Sequence, residues 1–138
     1  MQLKVITPEK VIFDDQADEL ILPTVNGEIA VLPQHVDLLT QIAPGEMVIK
    51  TKGKNHHVAV TGGFLQIDKG VLTVLAEYAI RSDEIDAKKA QEAQKRAEEI
   101  LKNVEKVGER DFAIAQMDIR RAVLELKVAR KRRPNSPL

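Results

Sequence analysis

A chain of 138 residues, 43% hydrophobic and 30% charged, can build one modest core with an appendage and does not have the composition of a disordered segment. The absence of cysteine excludes a disulfide framework, a thiolate metal cage and a cysteine nucleophile. Net charge is zero but unevenly spread: 7 Lys+Arg face 10 Asp+Glu through residue 82, and 14 face 11 beyond it, giving −3 and +3.

The N-terminus has no signal-peptide core, and no apolar run approaches the ~20 residues that cross a bilayer, so a soluble intracellular protein is expected. From there the chain reads as strands. Eight runs rich in Val, Ile and Leu recur between turn residues: Leu3–Ile6, Lys10–Phe13, Asp18–Pro23, Glu28–Pro33, Glu46–Thr51, His56–Val60, Phe64–Ile67 and Val71–Ile80. Their regular spacing predicts a sandwich or barrel of antiparallel strands. Phe13, Phe64, Tyr78 and Phe112 are the only aromatic residues, so the core must be aliphatic, which suits Val and Ile on a pleated surface.

Between these runs, Gly27-Glu28 reads as a turn, Pro33-Gln34-His35 as a loop exit, and Gly62-Gly63 as a bulge or tight bend that needs glycine's freedom in φ. His56 and His57 are neighbours on one run and point to opposite faces with no third ligand nearby, so no metal site is expected. There is no phosphate-cradling glycine loop and no nucleophile, base and acid arrangement, so the chain reads as a non-enzyme.

Near Asp86 the period changes. Ala90, Ala93, Ala97, Ile100 and Val104 share a helix face, Gly108 interrupts, and Phe112, Ala115, Ile119, Ala122, Leu126 and Ala129 repeat the spacing up to Pro134. Two helices joined by a short turn follow, with a narrow, alanine-rich seam that separates at low cost. Asp83 and Asp86 sit where carboxylates are favoured by the helix dipole. The end is basic: Arg120, Arg121, Lys127, Arg130, Lys131, Arg132 and Arg133 face only Glu125 among acids, a composition that seeks acidic protein, nucleic acid or lipid.

The segments Gly27–Leu39 (GEIAVLPQHVDLL), Val60–Ile67 (VTGGFLQI), Leu72–Ala79 (LTVLAEYA) and Glu84–Ala90 (EIDAKKA), followed by a basic two-helix tail, resemble the ε-subunit family of bacterial F-type ATP synthases. The resemblance spans essentially the whole chain. It implies an α+β protein with an N-terminal antiparallel β-sandwich of two five-stranded sheets, residues 1–82, and a C-terminal helical hairpin, residues 83–138. It implies a central-stalk subunit whose sandwich binds the γ subunit and the rotor ring of c subunits, with Glu28 and His35 at that contact. The helices would fold against the sandwich or extend along γ toward the catalytic β subunits, where they inhibit ATP hydrolysis. The basic positions Arg120, Arg121, Lys127, Arg130, Lys131 and Arg132 would meet an acidic surface there. Membrane association would come only through the complex, on the cytoplasmic face of the bacterial plasma membrane.

In family members that bind ATP on this subunit, Ile or Leu and Asp are followed by two variable residues, Arg and Ala. Here Ile85-Asp86-Ala87-Lys88-Lys89-Ala90 puts Lys89 where arginine is expected, and Ile80 where the strong binders carry an acid. Lysine keeps the charge but loses the planar fork that grips phosphate or a base edge. The preferred reading of Asp86 is therefore a helix N-cap. The resemblance leaves ATP as a weak regulatory ligand on Asp86, Lys89 and Arg121, and no cofactor is required. The competing class is an adaptor, or a binder of nucleic acid or another anionic surface, using Ala129–Asn135. No aromatic platform accompanies those charges, so nucleic acid is not an expected partner.

Overall fold

The computed structural model describes residues 1–103 and 108–132. Val104 and the stretch from Arg133 to Asn135, which the sequence reading invoked, lie outside the described residues, as do the side chains of Lys131 and Arg132. The chain forms two compact units, Met1–Ser82 and Asp83–Leu138.

The first unit holds ten strands: β1 (Gln2–Ile6), β2 (Val11–Gln16), β3 (Glu19–Thr24), β4 (Gly27–Val31), β5 (Leu38–Ile42), β6 (Gly45–Thr51), β7 (Lys54–Val60), β8 (Gly63–Asp68), β9 (Val71–Ala76) and β10 (Ala79–Arg81). They pair as two groups of five, β4-β3-β6-β7-β10 and β5-β8-β9-β1-β2, joined at the single ladder position Thr24↔Ile42. Thr24 is a buried polar residue at this corner. Its hydroxyl donates to the Gly27 carbonyl at 2.6 Å and accepts the Asn26 N–H at 3.2 Å, so nothing polar is left unpaired where the chain passes between layers.

The local sequence explains the hairpins. Lys52-Gly53 and Lys69-Gly70 have positive φ at both residues (51° and 75°, 51° and 79°), the type I′ geometry whose twist matches the flanking strands. One pair departs from the antiparallel expectation. β1 and β9 run parallel, from Gln2↔Val71 to Ile6↔Leu75, which is open to them because most of the sandwich, not a hairpin, connects them. The run Val71–Ile80 is two strands, β9 on β8 and β10 on β7, with the chain changing layer at Glu77-Tyr78.

Alternate positions on each strand fill the core. Leu3 and Val5, Leu20 and Leu22, Met47 and Ile49, Leu65 and Ile67, and Leu72 and Val74 are all buried. Gly62 and Gly63 bend the chain between β7 and β8 with φ of 151° and 140°. At Gly63 space matters more than angle: a Cβ there would lie 2.0 Å from the Leu75 carbonyl oxygen and 2.9 Å from the Ala76 Cα, so only glycine lets β8 close on β9.

In the second unit a single 3₁₀ turn (Ser82–Glu84) precedes α1 (Ala87–Lys102) and α2 (Glu109–Arg132), which pack on each other. Ala90 and Ala97 of α1 are buried, as are Ala115, Ala122, Leu126 and Ala129 of α2. Ile100 is 39% exposed, because the buried stripe continues through the half-buried Leu101, one turn beyond Ala97.

Candidate functional site

The outer side of the β5-β8-β9-β1-β2 layer carries several exposed apolar side chains. Register places Gln41, Phe64, Leu75, Ile6 and Val11 in one row across all five strands. Their inward neighbours Leu65, Val74 and Val5 are buried, so period-two alternation turns this row outward. Phe64 is 52% exposed, Leu75 46% and Val11 55%, with Ile6 half-buried between them. The next outward row starts with Leu39, 71% exposed, and continues Gln66, Thr73, Lys4, Asp14. Scattered exposed apolar residues are ordinary, but four in register on adjacent strands form a contiguous patch of the kind found at partner surfaces. The sequence reading did not find it, although the alternating run Phe64-Leu65-Gln66-Ile67 carried half the signal.

Glu28 is exposed and His35 half-buried, and they lie toward opposite ends of the β4 segment. Glu28 sits opposite Pro23 beside the Val25-Asn26 turn; Val31, three residues and ~10 Å further along the strand, faces Leu20. His35 follows in a turn with Pro33 second, Gln34 third at φ 70° and the His35 N–H on the Leu32 carbonyl at 3.2 Å, the features of a type II turn. The His35 ring Nδ1 lies 2.7 Å from the Val36 carbonyl, which settles it against its own backbone. Val25, Leu32 and Val36 are exposed around these two positions, so the turn and the loop offer apolar as well as polar contacts.

In the helical unit Asp86 is the N-cap of α1. Its Oδ1 accepts the N–H of Lys88 at 3.1 Å and of Lys89 at 3.2 Å, satisfying two of the donors a helix start leaves open. Asp86, Lys89 and Arg121 are all exposed. On α2, Arg120, Lys127 and Lys131 recur at spacings of seven and four along one row; Arg130 follows Leu126 by four, beside the buried stripe. Arg121 falls instead in a second stripe with Ile114, Met117, Leu124 and Val128. Ile114 is 46% exposed and Met117 60%, while Leu124 is half-buried and Val128 buried, so only the N-terminal part of this stripe is open.

His56 and His57 do point apart: His57 Nδ1 lies 3.3 Å from Glu46 Oε1, and His56 Nδ1 lies 3.1 Å from Arg81 Nη2. Among the described residues no three His, Asp or Glu side chains gather as a metal site would need, and no helix is long and apolar enough to cross a membrane.

Comparison with known proteins gives concordant matches. The family model "ATP synthase, Delta/Epsilon chain, beta-sandwich domain" matches residues 1–82, and "ATP synthase, Delta/Epsilon chain, long alpha-helix domain" matches residues 83–130. The chain is 40% identical over 129 residues to the ATP synthase epsilon chain of Nitratidesulfovibrio vulgaris, covering 93% of this chain and 94% of that one. It is 35% identical over 133 residues to the epsilon chain of Herpetosiphon aurantiacus, covering 96% of each. Among solved structures, a chain of the Euglena gracilis mitochondrial ATP synthase (OSCP/F1/c-ring) superposes with a TM-score of 0.68 at 22% identity, over 88% of this chain and 77% of that one. A chain of the Tetrahymena thermophila enzyme's central stalk and c-ring gives 0.61 at 13%, over 93% and 95%. At those identities the structures speak for the fold.

Proposed function

The chain belongs to the ATP synthase delta/epsilon chain family and is a subunit of that complex, and we propose that it works in the central stalk as a non-catalytic epsilon subunit. The outward row Phe64, Leu75, Ile6 and Val11 carries this reading. A four-strand apolar patch needs a protein partner, and the γ subunit is the one that family membership supplies. Glu28 and His35, with Val25, Leu32 and Val36 around them, face the c-ring. Membrane association is then indirect and peripheral, on the cytoplasmic face.

The helices act as a brake on ATP hydrolysis. α2 has 24 residues and spans ~36 Å at 1.5 Å per residue, long enough to run from the stalk toward the catalytic β subunits. Leaving α1 exposes its small alanine-rich seam, and the second stripe with Ile114 and Met117 gives it a face for a new partner. The row Arg120, Lys127 and Lys131, with Arg121, Arg130 and Arg132, meets acidic side chains there. ATP is at most a weak ligand of Asp86, Lys89 and Arg121, because the Asp86 carboxylate already serves the helix start.

Co-purification tests the division of labour. A fragment ending at Ser82 is expected to assemble with the γ-containing complex as the full chain does. Assembly by the full chain alone would sink the assignment of docking to the sandwich.

A further inference from the structure

The two five-strand groups leave one edge of the sandwich open, where β2 approaches β10, and most of the side chains turned into that seam are polar or charged. Register puts Arg81 opposite Val58, His56 opposite Ile49 and Lys54 opposite Thr51, all on the face whose other members fill the core. On the facing layer Phe13 stands opposite Val5 and Asp15 opposite Leu3. Of these, Phe13, Asp15, Thr51, Lys54, His56 and Arg81, with Ile12, Asp14 and Lys52, line an open groove of about 420 Å³, inside the ~300–1,000 Å³ range of small-molecule sites.

Three cations converge here from two elements, Lys52 and Lys54 from the β6–β7 hairpin and Arg81 from β10. Both carboxylates are held locally: Asp14 Oδ1 accepts the Gln2 amide at 2.9 Å, and Asp15 Oδ1 accepts the Gln16 N–H at 2.7 Å. A guanidinium can only donate, so Arg81 Nη2 donates to His56 Nδ1 and leaves the ring's Nε2–H as a further donor. The His56 ring lies against Phe13, centroids 6.0 Å apart and tilted by 52°, so the donors stand beside an apolar wall.

We propose that this seam binds a small planar organic anion, an aromatic carboxylate or a phosphate monoester, with its flat portion against Phe13 and His56 and its charged end toward Lys52, Lys54 and Arg81. The two rim aspartates limit the net positive charge, so the seam selects one or two negative charges and rejects a triphosphate. None of the residues that line it is Asp86, Lys89 or Arg121. Inward-pointing charge at a sheet edge also deters strand addition, and that role needs no ligand.

Amide chemical shifts of the full-length protein distinguish the two, with phenyl phosphate, inorganic phosphate and uncharged benzyl alcohol as probes. Phenyl phosphate should give saturating shifts at Phe13, Lys52, Lys54, His56 and Arg81, with both other probes at least ~10-fold weaker, the factor that one lost charge-assisted contact produces. The exposed double variant Lys52→Gln/Lys54→Gln should weaken phenyl phosphate ~10-fold, and Arg81→Lys, which removes the fork, should do the same with the sheet intact. No saturation into the tens of millimolar overturns the proposal. So does unchanged affinity in both variants, or shifts confined to the helices.

Discussion

Replacing Phe64 and Leu75 by threonine removes the centre of the outward apolar row while keeping residues that favour a strand. An aromatic side chain buries ~200 Å² when fully covered, so the 52% of Phe64 left open is about 100 Å² for a partner, or ~2.5 kcal/mol at ~25 cal/mol per Å². Leu75, 46% open, adds about half of a leucine's ~2 kcal/mol. Full coverage of both is therefore worth ~3.5 kcal/mol, a few-hundred-fold in affinity. Threonine recovers part of that area and docking is never complete, so a loss of at least ~30-fold is expected. The assay is calorimetric titration of a catalytic head with γ, assembled without this subunit, against wild-type and double-variant chains of matching circular dichroism. Affinity within threefold of wild type in a folded variant would refute the idea that this face is the γ-docking surface.

Gly63→Ala should cost at least ~3 kcal/mol, because the new Cβ meets the Leu75 carbonyl oxygen at 2.0 Å and the strand must move; the melting temperature should drop by more than ~12 °C, and a shift of a few degrees would contradict it. Asp86→Ala should destabilise α1 by ~1 kcal/mol while Asp86→Asn, also a good cap, leaves helical circular dichroism and its melting nearly unchanged; equal losses would mean the carboxylate does more than cap. Calorimetry of the isolated subunit with ATP should give a constant weaker than micromolar, and a tighter one would show that lysine at Lys89 suffices. Neutralising Arg120, Arg121, Arg130 and Lys131 together should raise ATP hydrolysis by the assembled complex without loss of assembly. That gain should shrink as salt rises, since exposed pairs fade beyond a Debye length of ~8 Å; unchanged hydrolysis, measured free of inhibitory MgADP, would remove the brake from α2.

Much of the fold was legible in local pattern. Period-two runs gave strands, the switch to spacings of three and four gave helices, and Asp86 followed by Ala87-Lys88-Lys89 gave the cap before any coordinate. Those features act within a few residues, so a sequence window contains their cause. Leu38–Ile42 was missed as a strand because Thr40 and Gln41 interrupt its apolar signal, and it is held by pairing along β8. The break between β9 and β10 was invisible because Glu77-Tyr78 is no stronger a turn signal than its neighbours; Thr61 N–H on the Tyr78 carbonyl and Glu77 N–H on the Gly62 carbonyl hold it from another part of the chain.

By itself the sequence determined the two units, the aliphatic core, the Asp86 cap and the family. Only the tertiary structure decided which apolar side chains became a surface. Phe64, Leu75, Ile6 and Val11 are scattered over seventy residues and each belongs to a run that also supplies the core; register between strands, including the parallel β1–β9 pair, aligns them and turns them outward together. The same long-range pairing carries Phe13, Lys54, His56 and Arg81 into one seam. A one-residue slip would reverse the face of every side chain on a strand, so the patch and the seam are properties of the pairing and have no local signature.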